Sequence, residues 1–297
     1  AAVQGEGKIV VPHLMKNHRF DHVFFTGSTQ VGRKIMEMAS KNLSPVTLEL
    51  GGKSPGIIDK NVNLKTAVKR LTWGKFYNTG QTCVAPDYLL IHEDIKQEAI
   101  SLIKKYIAEF YGDDPSQSPD YGRIIHERAF DRMLSMLDEN RDDIIQGGRT
   151  EREMRYIEPT LVEINDFNNA LMKEEIFGPI WPIVSWNNEK ELNELLADHP
   201  DPLAAYMFTR DNRLWKNFLQ NFSCGGACRN NCIVHLANPY LPFGGVGESG
   251  MGNYHGRYSF LTFSHQKSVM SSTSWPDPSM KYPPYKGKMK WLKRLLG

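Results

Sequence analysis

Residues 46–55 read VTLELGGKSP and residues 80–87 read GQTCVAPD, and these two segments decide how the chain is read. Each carries one side chain able to do chemistry, Glu49 and Cys83. A cysteine is a strong nucleophile once ionised, but a free thiol with a pKa of about 8.5 is only a few per cent thiolate at neutral pH. It needs a base or a local field, and Glu49 can supply the base directly or through water. Between the segments, Leu64, Ala67, Val68 and Leu71 predict a helix, and the apolar run 88–91 predicts the strand that follows. Cys83 is therefore expected on a tight connection at a helix C-terminus. The dipole there disfavours an anion, so it cannot activate the thiol. Gly51, Gly52 and Gly80 permit close backbone approach to a ligand. Taken alone, these residues also fit a plainer reading, a buried structural thiol and a surface carboxylate.

Upstream, residues 20–26 read as a buried strand from their aromatic and β-branched content. Gly27-Ser-Thr-Gln-Val-Gly32 follows as a turn, and Val31, Ile35, Met38 and Ala39 mark a helix to about Asn42. A strand, a Gly/Ser/Thr turn and a helix start offer backbone N–H groups to an anion. The spacing is neither Gly-x-Gly-x-x-Gly nor a P-loop, and an ordinary strand-to-helix turn has the same pattern. Val46 to Leu50 is the next strand, with Glu49 near its carboxyl end, where open α/β sheets bind ligands. Downstream, helices are predicted over 95–110, 128–139, 189–197 and 214–222. Strands are predicted to about His92 and over 142–148, 160–164, 177–186 and 204–209. Such alternation argues an α/β fold with a largely parallel sheet.

A chain of 297 residues can bury a substantial core and hold more than one domain or a bilobed unit. An apolar content of 40% and a charged content of 24% are ordinary for a globular protein. A net charge of +2 gives no global electrostatic case for nucleic acid. No run has the length of a transmembrane helix, and the opening residues do not resemble a signal peptide. The four cysteines do not suggest a disulfide scaffold, and a catalytic thiol fits a reducing, cytoplasmic setting. Cys224, Cys228 and Cys232, with His235 nearby, would share a helix face as soft-metal ligands. Gly225-Gly226 and Asn230-Asn231 break that helix, so no metal site is assigned. Lys53 is read as solvated or structural, and His255 and His265 as structural. Residues 281–297 carry Lys286, Lys288, Lys290, Lys293 and Arg294 among apolar residues. This is either a basic amphipathic segment for an anionic membrane surface or a solvated tail.

Glu49-Leu-Gly-Gly-Lys53-Ser-Pro55 and Gly80-Gln-Thr-Cys83-Val-Ala-Pro86 resemble the two signature segments of the NAD(P)-dependent aldehyde dehydrogenases, at a fitting separation. The continuation to Asp87 and Tyr88 resembles the class 3 and fatty aldehyde dehydrogenase branch. Residues 173–179 (KEEIFGP) and 241–252 (LPFGGVGESGMG) extend the likeness, and 253–260 are especially like class 3.

The resemblance implies an aldehyde dehydrogenase-like α/β fold. Residues 1–50 would be the remaining part of a Rossmann-type cofactor domain and 51–251 an α/β catalytic domain. Residues 252–297 would be a C-terminal oligomerisation segment with a basic tail. It implies oxidation of a medium- or long-chain aliphatic, or aromatic, aldehyde to an acid with NAD or NADP. Cys83 would be the nucleophile and Glu49 the base that activates water. Gly27, Ser28 and Gly32 would lie beside the cofactor pyrophosphate, Glu175 on the ribose hydroxyls and Phe177 against the nicotinamide ring. A homodimer formed by C-terminal strand exchange is also implied.

The chain opens at Ala1 without Met and in mid-pattern. By the resemblance, roughly the first third of the family's length lies outside it, with an Asn oxyanion donor and a ribose-binding Lys. The isolated chain is accordingly expected to be weak or inactive. Two rival readings are a cofactor-free thiol esterase and a non-catalytic protein of the same fold, as in lens crystallins. Aldehyde-dependent NADH formation separates them from the first.

Overall fold

Two sheets built from neighbouring stretches of chain supply the two chemical side chains. The computed structural model describes residues 1–165 and 167–295, in two units, Ala1–Phe263 and Ser264–Gly297. The first unit opens with α1 (Gly7–Asn17), β1 (Val23–Thr26), α2 (Thr29–Ser40) and β2 (Val46–Glu49). Next come β3 (Pro55–Ile58), α3 (Leu64–Phe76), β4 (Tyr88–His92), α4 (Lys96–Tyr111) and α5 (Glu127–Glu139). Short strands β5 (Ile144–Gln146), β6 (Thr150–Glu151), β7 (Tyr156–Ile157) and β8 (Thr160–Glu163) follow, then α6 (Ala170–Lys173). The unit closes through β9 (Ile180–Trp186), α7 (Glu189–Ala197), β10 (Ala204–Phe208), α8 (Asn212–Asn221), β11 (Gly226–Arg229), β12 (Gly250–Met251) and α9 (Gly256–Thr262). In the second unit, α10 spans Met289–Leu295.

The large sheet runs β11-β10-β3-β4-β9-β8-β5 and is parallel except for β5 at its edge. A parallel strand covered on both faces is apolar throughout, because consecutive side chains enter opposite layers. β4 shows this directly. Leu89 and Ile91 pack with Val68 and Leu71 of α3 and Ile103 of α4, whereas Tyr88 and Leu90 pack with Phe130 of α5 and Phe218 of α8. The small sheet runs β1-β2-β12, with β1 parallel and β12 antiparallel to β2. Among the described residues its core cluster is Ile35, Leu48 and Leu50, edged by partly buried side chains such as Val23 and Phe25.

Most expected elements form within a few residues of their predicted bounds. Two differences have physical causes. The strand expected from Phe177 starts at Ile180, because Phe177 adopts φ +51° and a Gly-Pro pair follows. The central strand β3 is not foreseen in the sequence, since Gly51-Gly52 and Pro55 read as a turn. A proline is tolerated there as the first strand residue. Cys228 lies on β11, so Cys224, Cys228 and Cys232 do not share a helix face, in keeping with the glycine and asparagine pairs that break a helix there.

Candidate active site

Glu49 is the last residue of β2, between Thr26 of β1 and Gly250 of β12. The Gly27 N–H donates to the Glu49 carbonyl at 3.0 Å, and the Leu50 N–H to the Ser249 carbonyl at 3.0 Å. Gly250 has φ +143°, and a Cβ there would lie 2.0 Å from the Leu48 carbonyl oxygen, so only glycine lets β12 close on β2. The Glu49 side chain is buried, and neither carboxylate oxygen has a hydrogen-bond partner among the described residues. An unpaired buried carboxylate strongly favours its neutral form. Burial accordingly raises the Glu49 pKa to about 7.

Cys83 is reached through three consecutive left-handed residues, Asn78 (φ +50°), Thr79 (φ +57°) and Gly80 (φ +75°). Such conformations cost about 1 kcal/mol or more each at non-glycine residues, so the surroundings must hold them. Gln81 does much of this: its side chain donates to the Arg123 carbonyl at 3.0 Å and accepts from the Ile125 N–H at 2.9 Å. The Asn78 side chain donates to the Gln81 carbonyl at 2.9 Å. The Tyr206 hydroxyl fixes the far side by donating to the Val84 carbonyl at 2.6 Å. A Cβ on Gly80 would lie 2.3 Å from the Gly178 carbonyl oxygen, so the cysteine loop and the 175–179 loop meet backbone to backbone.

The Cys83 side chain is half-buried. Burial, then the Glu175 carboxylate, then the Glu49 carboxylate push its thiol up to about 11, against the opposing N–H groups of Cys83 and Val84. The resting sulfur is therefore a neutral thiol. The Tyr254 phenol lies near it, with a pKa raised by burial and then by Glu49 and Cys83.

Glu175 turns its carboxylate over Gly51-Gly52. A Cβ on Gly51 would lie 1.8 Å from Glu175 Oε2, and the Gly52 N–H donates to the carboxylate. Burial and then Asp87 raise the Glu175 pKa to about 8, while Lys53 and Arg132 oppose the shift. Phe177, next on this loop, is 37% exposed. Gly27 ends β1, Ser28 is the N-cap of α2, and Gly32 lies in its first turns. A Cβ on Gly32 would lie 2.6 Å from Leu50 Cδ2, so this turn packs on the residue that follows Glu49. The structure thus gathers Gly27, Ser28, Gly32 and Glu49 at one end of the small sheet, and Cys83, Glu175 and Phe177 on two touching loops.

Two lysines are buried near these loops. Lys53 Nζ donates to Asp87 Oδ2 at 2.5 Å and to the Leu171 carbonyl at 2.6 Å, so of its two expected readings the structural one holds. Asp87 Oδ1 accepts from the Ile176 N–H at 3.1 Å, which ties the Glu49, Cys83 and Glu175 segments to one ion pair. Lys75 is fully buried and its Nζ has no partner among the described residues. Burial lowers its pKa to about 8, which Asp87 partly offsets. The pairing of Lys53 with Asp87 and the burial of Lys75 are not anticipated from the sequence. For Lys75 a signal existed: it falls at i+7 from Val68 and i+4 from Leu71, on the buried stripe of α3.

Cys232 is fully buried, with its thiol donating to the Arg70 carbonyl at 3.0 Å. Among the described residues no group of three or more His, Cys, Asp or Glu side chains could hold a metal.

The family model of the aldehyde dehydrogenases matches residues 1–269. The chain belongs to the aldehyde dehydrogenase family. It is 46% identical to the 4,4'-diaponeurosporen-aldehyde dehydrogenase of Staphylococcus aureus over 97% of this chain and 63% of that protein. It is 46% identical to the dimeric NADP-preferring aldehyde dehydrogenase of Mus musculus, over 91% of this chain and 60% of that protein. The substrate-bound structure of Staphylococcus aureus AldH superposes with a TM-score of 0.92 over 97% of this chain and 62% of that one, at 46% identity. The chain spans about three fifths of the length of the relatives it matches. The aldehyde dehydrogenase fold is thereby established for the region that carries Glu49 and Cys83.

Proposed function

We propose that the protein oxidises an aldehyde to a carboxylic acid with NAD or NADP, using Cys83 as nucleophile and Glu49 as base. One observation carries the reading: the buried Glu49 carboxylate has no hydrogen-bond partner among the described residues and lies near enough to the half-buried Cys83 sulfur to raise its pKa. In the first step the sulfur bonds to the carbonyl carbon, and the thiol proton passes to Glu49 directly or through water. The Cys83 N–H faces the oxyanion that forms. A bound NAD or NADP would supply the acceptor for the hydride of that carbon. What remains on Cys83 is a thioester. Once Glu49 has released that first proton to solvent, it takes one from the attacking water, the carbon–sulfur bond breaks with the sulfur leaving as a thiolate that is then reprotonated, and the acid departs. A base with a pKa near the working pH suits that role.

The residues present fit the cofactor. Gly27 and Ser28 lead from a strand end into the N-terminus of α2, whose first-turn N–H groups favour a phosphate. Gly51 has no room for a side chain, because the Glu175 carboxylate occupies that space. In this reading Gly27, Ser28 and Gly32 flank the pyrophosphate, Glu175 accepts from ribose hydroxyls, and Phe177 supports the nicotinamide.

Residues 1–50 would serve the cofactor, 51–251 the chemistry and 252–297 assembly as a homodimer; the mouse relative is named dimeric. All four cysteines are free, as suits a reducing, cytoplasmic setting. The ring contacts of Phe24 and Phe243 with Tyr254, which lies near Glu49 and Cys83, support medium- or long-chain aliphatic and aromatic aldehydes as substrates.

Aldehyde-dependent NAD(P)H formation tests the proposal. Cys83→Ala should lower it on the order of 10⁴-fold or more. Glu49→Gln should leave a single-turnover burst but slow steady turnover by about 10²–10⁴-fold. Wild-type turnover should fall as pH drops below about 7, where Glu49 becomes protonated, and the variant should lack this limb. Full steady turnover in Glu49→Gln would refute the assignment.

A further inference from the structure

The aldehyde chemistry occupies only one end of the large sheet. Cys83 precedes β4, and Glu175 and Phe177 precede β9, so these groups lie at the amino ends of parallel strands. The carboxyl ends lie opposite, a strand length of ~15 Å away. There β3 and β10 end side by side, with Ile58 paired to Phe208. The chain then diverges. From β3 it runs through α3 to β4 on one side, and from β10 through α8 to β11 on the other. α3 and α8 pack on opposite faces of the sheet. Connections that part in this way open a crevice at the carboxyl ends, where α/β sheets bind ligands.

The crevice is a cavity of about 420 Å³ lined by Lys60, Asn61, Val62, Arg210 and Asp211. The two loops that form it are tied together. The buried Thr209 hydroxyl donates to Asp59 Oδ2 at 2.7 Å, and the Arg210 N–H donates to the Asn61 carbonyl at 2.7 Å. The lining side chains, by contrast, are uncommitted. Arg213 pairs with Glu189 and Arg229 donates to Asn212, but the Arg210 guanidinium has no ion pair or hydrogen bond among the described residues. The Asn61 carboxamide has none either. Lys60 has only an exposed pair with Asp94 at 3.2 Å, which a ligand can displace. Asp211 Oδ1 accepts from the Arg213 and Leu214 N–H groups at 2.7 and 3.2 Å, whereas no described residue donates to Oδ2.

We propose that this crevice binds a small phosphorylated polyol, of the sugar phosphate or nucleotide class. Arg210 and Lys60 hold the phosphate, the guanidinium through two parallel hydrogen bonds. Asp211 Oδ2 and the Asn61 carboxamide take the hydroxyls, because a carboxylate only accepts and a carboxamide both donates and accepts. An apolar ligand would find only Val62. A phosphate without hydroxyls would leave Asp211 as a bare repulsive charge. The cavity has the size that small-molecule sites use. Asn63 and Asp211 cap the helices that start here, so recognition is assigned to side chains and not to helix ends. The proposal is independent of the aldehyde chemistry.

The test is isothermal titration calorimetry of the whole chain with ribose 5-phosphate, ribose and inorganic phosphate. Ribose 5-phosphate should bind more than about tenfold tighter than either fragment, because it uses both halves of the crevice. Arg210→Gln should weaken it more than about tenfold and Lys60→Gln by about threefold or more. Asp211→Asn still caps α8 and should bring ribose 5-phosphate to within about threefold of phosphate. Excess NAD should leave the binding unchanged. Equal binding of ribose 5-phosphate and phosphate would reveal an adventitious ion only, and displacement by NAD would place the ligand in the cofactor groove; either overturns the proposal. So would undiminished binding in Arg210→Gln or in Lys60→Gln, or no saturation by about 10 mM. Both cations are exposed, so unfolding midpoints should match the wild type, and each variant is decisive without the other.

Discussion

The two sheets hold their chemical groups in different ways. Cys83 is borne by the large sheet, where β3, β4 and β10 are buried at every position and helices cover both faces. Glu49 is borne by the small sheet, whose core is three buried side chains and whose surface exposes Phe24, Val31, Met36 and Leu43. The nucleophile thus sits on a rigid body and the base on a sparsely packed one. Their spacing depends on the joints between them, and above all on the Lys53–Asp87 pair. The small sheet has an ion pair of its own, Arg33–Glu248 at 2.5 Å, but both partners are exposed. Equal distances therefore conceal unequal energies, because burial removes the competition from water.

The largest expected effect follows from that contrast. Asp87→Ala strands a buried Lys53 and frees the Ile176 N–H, and should cost about 3–5 kcal/mol in urea unfolding. Glu248→Ala should change stability by less than about 1 kcal/mol. Similar losses in the two variants would erase the distinction between the regions.

Lys75 gives the next effect. Its folded-state pKa of about 8 lies below its unfolded value of 10.5, so between these values the unfolded chain binds the extra proton and stability rises with pH. The gain should approach about 3 kcal/mol across that window and be absent in Lys75→Met, which should also be the more stable protein at pH 7. Parallel pH profiles for wild type and variant would show that Lys75 keeps its proton in the folded protein.

The smallest effect concerns the thiol. Alkylation of Cys83, followed by peptide mass spectrometry, should be slow at neutral pH and rise toward about pH 11. Glu175→Gln should shift that profile to lower pH by up to about one unit, and Glu49→Gln by less, in the order of their influence on the sulfur. A shift to higher pH in either variant would contradict the placement of these carboxylates.

Much of this was legible before any coordinates. Alternation of apolar runs with helical stripes predicts the parallel sheet, because strands covered on both faces cannot hide their composition. Glu49 and Cys83 are legible as chemistry because glycines flank them where a strand or helix ends. β3 is not, since four residues opened by Pro55 carry too little pattern to outweigh the turn-like residues before them. The support of the site is also poorly legible. Lys53 and Asp87 lie 34 positions apart, and nothing local marks them as partners. Lys75 hides because a cation on an apolar stripe reads as an interruption, whereas the fold buries it. Gln81 reads as one polar loop residue among several. Its role as a clamp depends on residues 123–125, which only tertiary structure brings near.

The left-handed run at Asn78, Thr79 and Gly80 bears on transplantation. Grafted onto another scaffold, the hexapeptide from Asn78 to Cys83 would spring back toward ordinary backbone angles and aim its sulfur elsewhere. The portable module is larger: it must bring the receptor for Gln81 at residues 123–125 and a glycine opposite Gly80.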